Sequence, residues 1–162
     1  MKIALGADHR GAEALKAITE TLTANRHIPL PLAVCKGRAC DYPDMAYPVA
    51  NAVANGHADR GILVCGSGIG MSIAANKVKG VRAALVHDEV GAEVSRRHND
   101  ANVICIPADM LGVRVVEQIV LAWLRTDFEG GRHERRVQKI KAIEAGMDPT
   151  KLEQDRAAVV GD

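Results

Sequence analysis

A cysteine followed by a glycine-rich turn is the first candidate for chemistry in this chain. Cys65 ends the apolar run 61-GILVC-65, and the turn 66-GSGIG-70 leads directly into a segment with a helical pattern. Glycines at a strand-to-helix junction let the backbone approach a ligand and point its amide N–H groups at a phosphate, a carboxylate or a developing oxyanion. A thiolate beside such a turn is a candidate base or nucleophile. The alternatives are a tight turn without a ligand and a small buried cysteine.

The turn lacks the two common nucleotide fingerprints. A phosphate loop of the form GxxxxGK[ST] does not occur, and the dinucleotide pattern GxGxxG is not completed because Met71 and Ser72 follow Gly70. The turn is therefore predicted to hold a small anionic group rather than a nucleotide.

Two polar side chains follow the first predicted strand, in 6-GADHRG-11. Asp8 can accept a hydrogen bond from a sugar hydroxyl, and His9 can donate to an oxyanion or a phosphate. Parallel strands bring their carboxyl ends to one edge of a sheet, so we expect both residues near the glycine turn. The alternative for Asp8 is to cap the helix that follows, and the two roles are compatible.

Two further clusters lie in the second half of the chain. His98 and Asn99 stand between a predicted helix and a predicted strand, where a protonated histidine is favoured by the helix C-terminus and suits a proton donor. The alternative is a helix C-cap with Asn99 in the left-handed conformation. Arg132 and Arg136 are four residues apart on one helix face and suit a phosphate clamp. Their alternative is a solvated face of a helix that is basic all round.

Short apolar runs alternate with helical patterns and must position these residues. The predicted strands are 2–7, 61–65, 81–87 and 102–107, with a short or edge strand near 32–35 because Pro29 and Pro31 remove ladder donors. The predicted helices are 12–25, 45–56, 69–79, 89–98, 110–126 and 132–145. This alternation predicts an α/β fold: a single Rossmann-like, doubly wound domain with a mostly parallel five-stranded sheet and helices on both faces.

Composition excludes several classes of protein. A length of 162 residues suits one domain, here residues 1–146 followed by a polar tail at 147–162. A net charge of +1 and an aromatic content of 2% argue against nucleic-acid binding. No membrane span or signal peptide is recognisable, so a cytoplasmic location is expected. The four cysteines include no CxxC pair, so we expect free thiols and no zinc, with Cys105 in the core and no evident partner for Cys35 or Cys40.

Five motifs occur in order along the chain: GADHRG at 6–11, DYPD at 41–44, CGSGIGMSIAANK at 65–77, SRRHNDANV at 95–103 and EGGRHERR at 129–136. Together, and at family-like spacing, they resemble the ribose-5-phosphate isomerase type B family, which includes galactose-6-phosphate and allose-6-phosphate isomerases. The similarity runs from residue 1 to about 145.

The resemblance implies interconversion of ribose 5-phosphate and ribulose 5-phosphate through a cis-enediolate, without metal or cofactor. It implies a homodimer, sometimes a tetramer, in which His98 and Asn99 reach the neighbour's site. Cys65 falls on the position of the base. Another branch of the family lacks this cysteine and carries a glutamate where Met71 stands, so this chain resembles the branch with a cysteine base. The resemblance also implies that the enediolate oxygen is held by Ser67 and by the amides of Gly66, Gly68, Ile69 and Gly70. Ring opening is implied for His98 and Asp8. Asn99 and Tyr42 would orient the sugar, and the phosphate would be bound by His9, Arg132 and Arg136.

The chain departs from the family pattern at two places. Asp109 stands where the family usually has a phosphate-binding arginine, and a carboxylate there is expected to repel phosphate. Residues 28–40 do not resemble the usual strand and loop. Both departures motivate one alternative, an isomerase of a six-carbon sugar phosphate. A non-catalytic sugar-phosphate sensor on the same fold is a second alternative, from another class of protein.

Overall fold

Five strands form one sheet in the order β2-β1-β3-β5-β4. They are β1 (Lys2–Ala7), β2 (Ile28–Val34), β3 (Arg60–Cys65), β4 (Ala83–Leu85) and β5 (Val103–Pro107). The computed structural model describes residues 1–35 and 39–153 of the chain. Every neighbouring pair of strands runs parallel, as the alternation of strand and helix predicts.

Within the described ranges, six α-helices connect or follow the strands. They are α1 (Ala12–Ala24), α2 (Tyr42–Ala54), α3 (Ile69–Ala75), α4 (Glu89–Asn99), α5 (Val113–Arg125) and α6 (Arg132–Glu144). Each lies where the sequence predicts a helix, although α2 begins three residues earlier than predicted. Asp41 in extended conformation and a proline in the first turn account for that earlier start. In the part of the chain that is described, no helix has the length and apolar character needed to cross a membrane.

Alternate side chains of the central strands pack on opposite faces of the sheet. Ile62 and Val64 face a core formed with α1, α4 and α5, around the fully buried Trp123. Leu63 and Cys65 face a second core formed with α2 and α3. Helices therefore cover both faces, which confirms the predicted doubly wound α/β class.

Strand β2 is longer than predicted. It pairs with β1 from Ile28 to Val34, with one irregularity between Leu5 and Gly6. The N–H of Ile28 donates to the carbonyl of Met1 at 2.8 Å, so the residues on either side of it face away from β1. The nitrogens of Pro29 and Pro31 therefore point to the open edge of the sheet. No hydrogen bond to β1 is lost there, although neither proline has an N–H. The edge position of β2 agrees with the prediction. The predicted bounds of 32–35 were wrong, because they treated both prolines as breaks in the ladder.

The opposite edge of the sheet is closed by a side chain. Strand β4 has three residues, fewer than the apolar run at 81–87 predicts. The side-chain amide of Asn76 donates to the carbonyl of Ala83 at 2.8 Å, and the N–H of Ala83 donates back to Asn76 Oδ1 at 2.9 Å. Asn76 thus takes the place of a neighbouring strand at this position.

The chain continues beyond α6 with a turn and a short 3₁₀ helix, Lys151–Glu153. The rest of the predicted tail, 154–162, lies outside the described residues. The division into a domain at 1–146 and a tail at 147–162 therefore stays a prediction.

Candidate active site

The turn after β3 encloses the sulfur of Cys65. The N–H of Gly68 donates to Cys65 Sγ at 3.1 Å, and the cysteine is only 5% exposed. Gly68 has a φ of 71°, the left-handed region in which a side chain is strained, so a glycine is needed to bend the backbone toward the sulfur. Ser67 Oγ accepts a hydrogen bond from the N–H of Ile69 at 3.4 Å. The predicted cysteine, serine and turn amides therefore form one compact group.

Close packing explains why this turn carries further glycines. A Cβ on Gly70 would lie 2.5 Å from the ring of Tyr42, and one on Gly66 would lie 2.5 Å from Oδ2 of Asp109. Tyr42, at the start of α2, therefore rests directly on the turn. The structure thus brings the predicted sugar-orienting tyrosine to the predicted base.

Asp8 joins the same group from the end of β1. Its N–H donates to the carbonyl of Val64 at 3.1 Å, next to Cys65. Its Oδ1 accepts from the N–H groups of Arg10 and Gly11 at 2.8 and 3.2 Å, so the side chain organises the turn that leads into α1. Within the described residues, Oδ2 has no hydrogen-bond partner. Asp8 therefore holds the local turn while one of its carboxylate oxygens remains available.

An ion pair that sequence analysis missed closes one side of this group. Nε of Arg10 donates to both carboxylate oxygens of Asp109, at 2.9 and 3.1 Å, and Nη2 lies 2.6 Å from Oδ2. The hydrogen bond and the charge of Asp109 raise the pKa of Arg10. Arg10 therefore offsets the negative charge of Asp109, and the expectation that this carboxylate repels phosphate stays a prediction. The two residues are 99 positions apart, so no local motif joins them.

The second group of predicted residues lies around the end of α4. The ring of His98 stacks on that of His133 with a centroid separation of 4.1 Å and an interplanar angle of 1°. Glu129 Oε2 lies 3.7 Å from Nε2 of His98 and 3.5 Å from Nε2 of His133. Arg132 Nε donates to Nε2 of His133 at 3.3 Å. His98 and Arg132 are thus brought together, and exposed Arg136 lies one helical turn beyond Arg132.

Charge and burial set the protonation of this second group. Arg97 donates to Glu129 Oε1 at 2.6 Å, and this hydrogen bond lowers the pKa of Glu129. Burial lowers the pKa of His133, which is 4% exposed, and its Nδ1 has no partner in the described structure. His133 is therefore neutral near pH 7 and accepts from Arg132 through Nε2. Sequence analysis missed Glu129 and His133, although both stand in the EGGRHERR motif.

The two groups lie at opposite ends of the sheet. Cys65 pairs with Pro107 at the carboxyl end of β5, whereas His98 and Asn99 come just before the amino end of that strand at Val103. The four residue-to-residue steps from Val103 to Pro107 separate these levels by about 13 Å. No hydrogen bond or ion pair among residues 1–35 and 39–153 links the groups. One chain does not bring His98 and Asn99 to its own cysteine.

The cysteines are not all free, contrary to the sequence-based expectation. Cys35 and Cys40 form a disulfide, with their Cα atoms 6.2 Å apart. Cys35 directly follows the full-length β2 at the edge of the sheet, and Cys40 lies just before the start of α2. Cys65 and Cys105 are free and buried, and burial raises the pKa of Cys105, which stays in the core as expected. Among the described residues, two clusters bring three possible metal-ligand atoms within 4.8 Å of one another: His9 with Cys35 and Cys40, and His98 with Glu129 and His133.

A parallel α/β domain with a buried cysteine, a glycine-rich turn and titratable side chains near its strand ends is typical of an enzyme for a small polar substrate. The family model described as Ribose/Galactose Isomerase matches residues 3–140, and the chain belongs to that family. This confirms the resemblance drawn from the five motifs.

Relatives and a solved structure support the same assignment. Ribose-5-phosphate isomerase B of Escherichia coli is 43% identical over 143 residues, 88% of this chain and 96% of the relative. D-erythrulose-4-phosphate isomerase of Pectobacterium atrosepticum is 40% identical, over 86% and 93%. The structure of ribose-5-phosphate isomerase B from Mycoplasma genitalium with bound ribulose-5-phosphate aligns with a TM-score of 0.83 at 40% identity, over 89% and 96%.

Proposed function

We propose that this chain interconverts ribose 5-phosphate and ribulose 5-phosphate through a cis-enediolate. The observation that carries the proposal is the enclosed sulfur of Cys65 beside the turn amides. The thiolate removes the proton from C2 and returns it to C1, and the amides of residues 66–70 with Ser67 hold the oxygen that becomes negative. Preorganised donors of this kind typically supply about 3–4 kcal/mol each.

We propose that the complete site belongs to two chains. His98 of one copy protonates the ring oxygen to open the furanose, and Asp8 of the other accepts the hydroxyl proton. Asn99 orients the sugar together with the partner's Tyr42. The sheet-end separation of about 13 Å supports a homodimer, because one chain cannot fold these residues around one substrate.

The phosphate is assigned to cations at the far end of the sugar. Arg132 and Arg136 share one face of α6 and are both exposed, which suits a clamp on a dianion. His9, at the edge of the other copy's turn, provides a third donor. The cytoplasmic location and a tetramer as an alternative assembly stay predictions.

A four-carbon sugar phosphate is the second candidate substrate. Asp109, paired with Arg10 against Gly66, stands where the family usually has a phosphate-binding arginine, so the substrate is held differently from ribose 5-phosphate in the family. The relative from Pectobacterium atrosepticum, named for D-erythrulose 4-phosphate, supports a four-carbon substrate. An isomerase of a six-carbon sugar phosphate stays a further alternative.

A substrate panel with EDTA present tests the proposal. Turnover of ribose 5-phosphate should exceed that of erythrulose 4-phosphate and allose 6-phosphate; a preference for either rival would reassign the substrate. Exchange of the C2 proton in heavy water separates an enzyme from a sensor, which would show none. Cys65→Ala should lose both turnover and exchange, while Cys105→Ala, in the core, should keep them. Normal turnover by Cys65→Ala would refute the cysteine base.

A further inference from the structure

Three metal-ligating side chains from separate parts of the chain meet beside the candidate active site. Strands β1 and β2 pair through Ala7 and Val34, so His9 and Cys35 emerge from neighbouring strands at one edge of the sheet. The N–H of Cys35 donates to the carbonyl of Ala7 at 3.2 Å and fixes this arrangement. Cys40 comes from the other side, just before α2. One ligand atom of each residue lies within 4.8 Å of the other two.

The chemistry of these three ligands selects a particular kind of ion. Two thiolates and one imidazole suit a thiophilic divalent cation such as Zn²⁺, which accepts tetrahedral nitrogen and sulfur ligands. His9 is exposed and both cysteines are half-buried, so an ion can reach them from solvent. Three protein ligands leave the fourth position for water. The Cys-x₄-Cys spacing lies within the range of zinc sites, but the third ligand comes from another strand and has no local sequence signal.

We propose that the reduced form of this chain binds one thiophilic divalent cation through His9, Cys35 and Cys40. The disulfide form cannot bind it, because its sulfur atoms are not thiolates. A dithiol reductant cleaves the Cys35–Cys40 bond by supplying two electrons, becomes a disulfide itself and leaves two thiols. The cation then displaces both thiol protons and takes the lone pair of one ring nitrogen of His9. The site therefore exists in only one redox state of the chain.

Occupation of this site has a consequence for catalysis that rests on the proposed function. His9 is assigned there to the substrate phosphate, and its metal-bound nitrogen cannot donate to a phosphate oxygen. Cys40 also adjoins the start of α2, which carries Tyr42 against the turn. A bound cation should therefore raise KM for the sugar phosphate.

Cobalt(II) titration of the full-length chain tests the site directly. The protein is reduced, freed of reductant without air and titrated with Co²⁺, whose thiolate complexes show a sulfur-to-metal charge-transfer band. One equivalent should produce the band in the reduced chain and none in the disulfide form. The double variant Cys35→Ser/Cys40→Ser should lose the band, and His9→Ala should weaken binding. His57→Ala, an exposed histidine elsewhere, is the matched control and should bind as the wild type does.

Several results would overturn this inference. Absence of the band in the reduced wild type refutes the site, and so does a band that survives in the double serine variant, since Cys65 would then be the ligand. The band requires no substrate, so a failure of the proposed function leaves this test intact. For the catalytic consequence, Zn²⁺ should raise KM in the reduced wild type and not in the double serine variant. Equal inhibition of both would place the inhibitory ion elsewhere.

Discussion

A hybrid dimer provides the sharpest test of the shared active site. The perturbation combines Cys65→Ala in one chain with His98→Asn in the other. Each homodimer lacks a necessary group at both sites. In the hybrid, one site takes Cys65 from the second chain and His98 from the first, so it is complete, while the other site has neither.

The size of the effect follows from counting sites. Loss of a general acid or base typically lowers turnover by about 100-fold or more, so each homodimer should retain roughly 1% of wild-type activity. The hybrid should recover about half of the wild-type activity per dimer, because one of two symmetric sites is intact. The expected contrast between hybrid and parents is therefore about 50-fold.

The assay uses two affinity tags, co-expression and tandem purification, followed by turnover of cyclic ribose 5-phosphate. A matched control combines Cys65→Ala with Asp8→Asn, which lie at the same end of the sheet and leave no complete site in the hybrid. A Cys65→Ala/His98→Asn hybrid no more active than this control would refute the two-chain site. Recovery in both hybrids would show subunit exchange or contamination rather than complementation.

Three further outcomes follow from the packing and charges of the single chain. Gly70→Ala should displace Tyr42 and lower kcat/KM by up to about 100-fold, measured in steady-state assays with the fold checked by circular dichroism. Arg60→Met should lower the free energy of unfolding in urea by about 2 to 4 kcal/mol, because Arg60 donates to two buried carbonyls and lies 5.1 Å from the ring of Trp123. Burial lowers the pKa of His133 from 6.5, so stability should be full above pH 6.5 and fall as pH drops toward that lowered pKa; His133→Gln should reduce this slope in pH-dependent urea unfolding.

Each of these outcomes has a control elsewhere in the chain. Gly112→Ala meets no atom within 4 Å and should leave kcat/KM unchanged. Arg114→Ala removes an exposed arginine and should cost little stability. His57→Gln alters an exposed histidine and should keep the acid-dependent slope. A variant that behaves as its control does would contradict the corresponding mechanism.

Features with a local pattern could be predicted from the sequence. The apolar runs of β1, β3 and β5 are nearly continuous because both faces of each strand are buried. The glycines of the turn after β3 indicate that other groups pack closely against its backbone. The roles of Cys65, Ser67 and Tyr42 stay predictions, but the turn that carries Cys65 and Ser67 was therefore placed correctly. Strand β2 was not, because the side to which a proline nitrogen points depends on pairing with β1, which a single strand does not reveal.

Features that depend on distant pairs were missed for the same reason. Arg10 and Asp109 meet only because β1 and β5 end at the same sheet edge. The stack of His98 and His133 requires α4 and α6 to pack together, and the disulfide requires the full length of β2. Titratable residues in these pairs were visible in the sequence, but their partners depend on topology rather than on spacing.

The closed sheet edges determine how copies of this chain can associate. Prolines at the β2 edge and Asn76 at the β4 edge remove positions from which another strand would build a ladder. In the proposed dimer a second copy therefore docks through helices, where Tyr47, Ile73 and Ile143 are 57–60% exposed. The closed edges also matter for a folded chain before it associates with another copy. Because these edges offer little template for a further strand, they disfavour strand-by-strand aggregation of single chains.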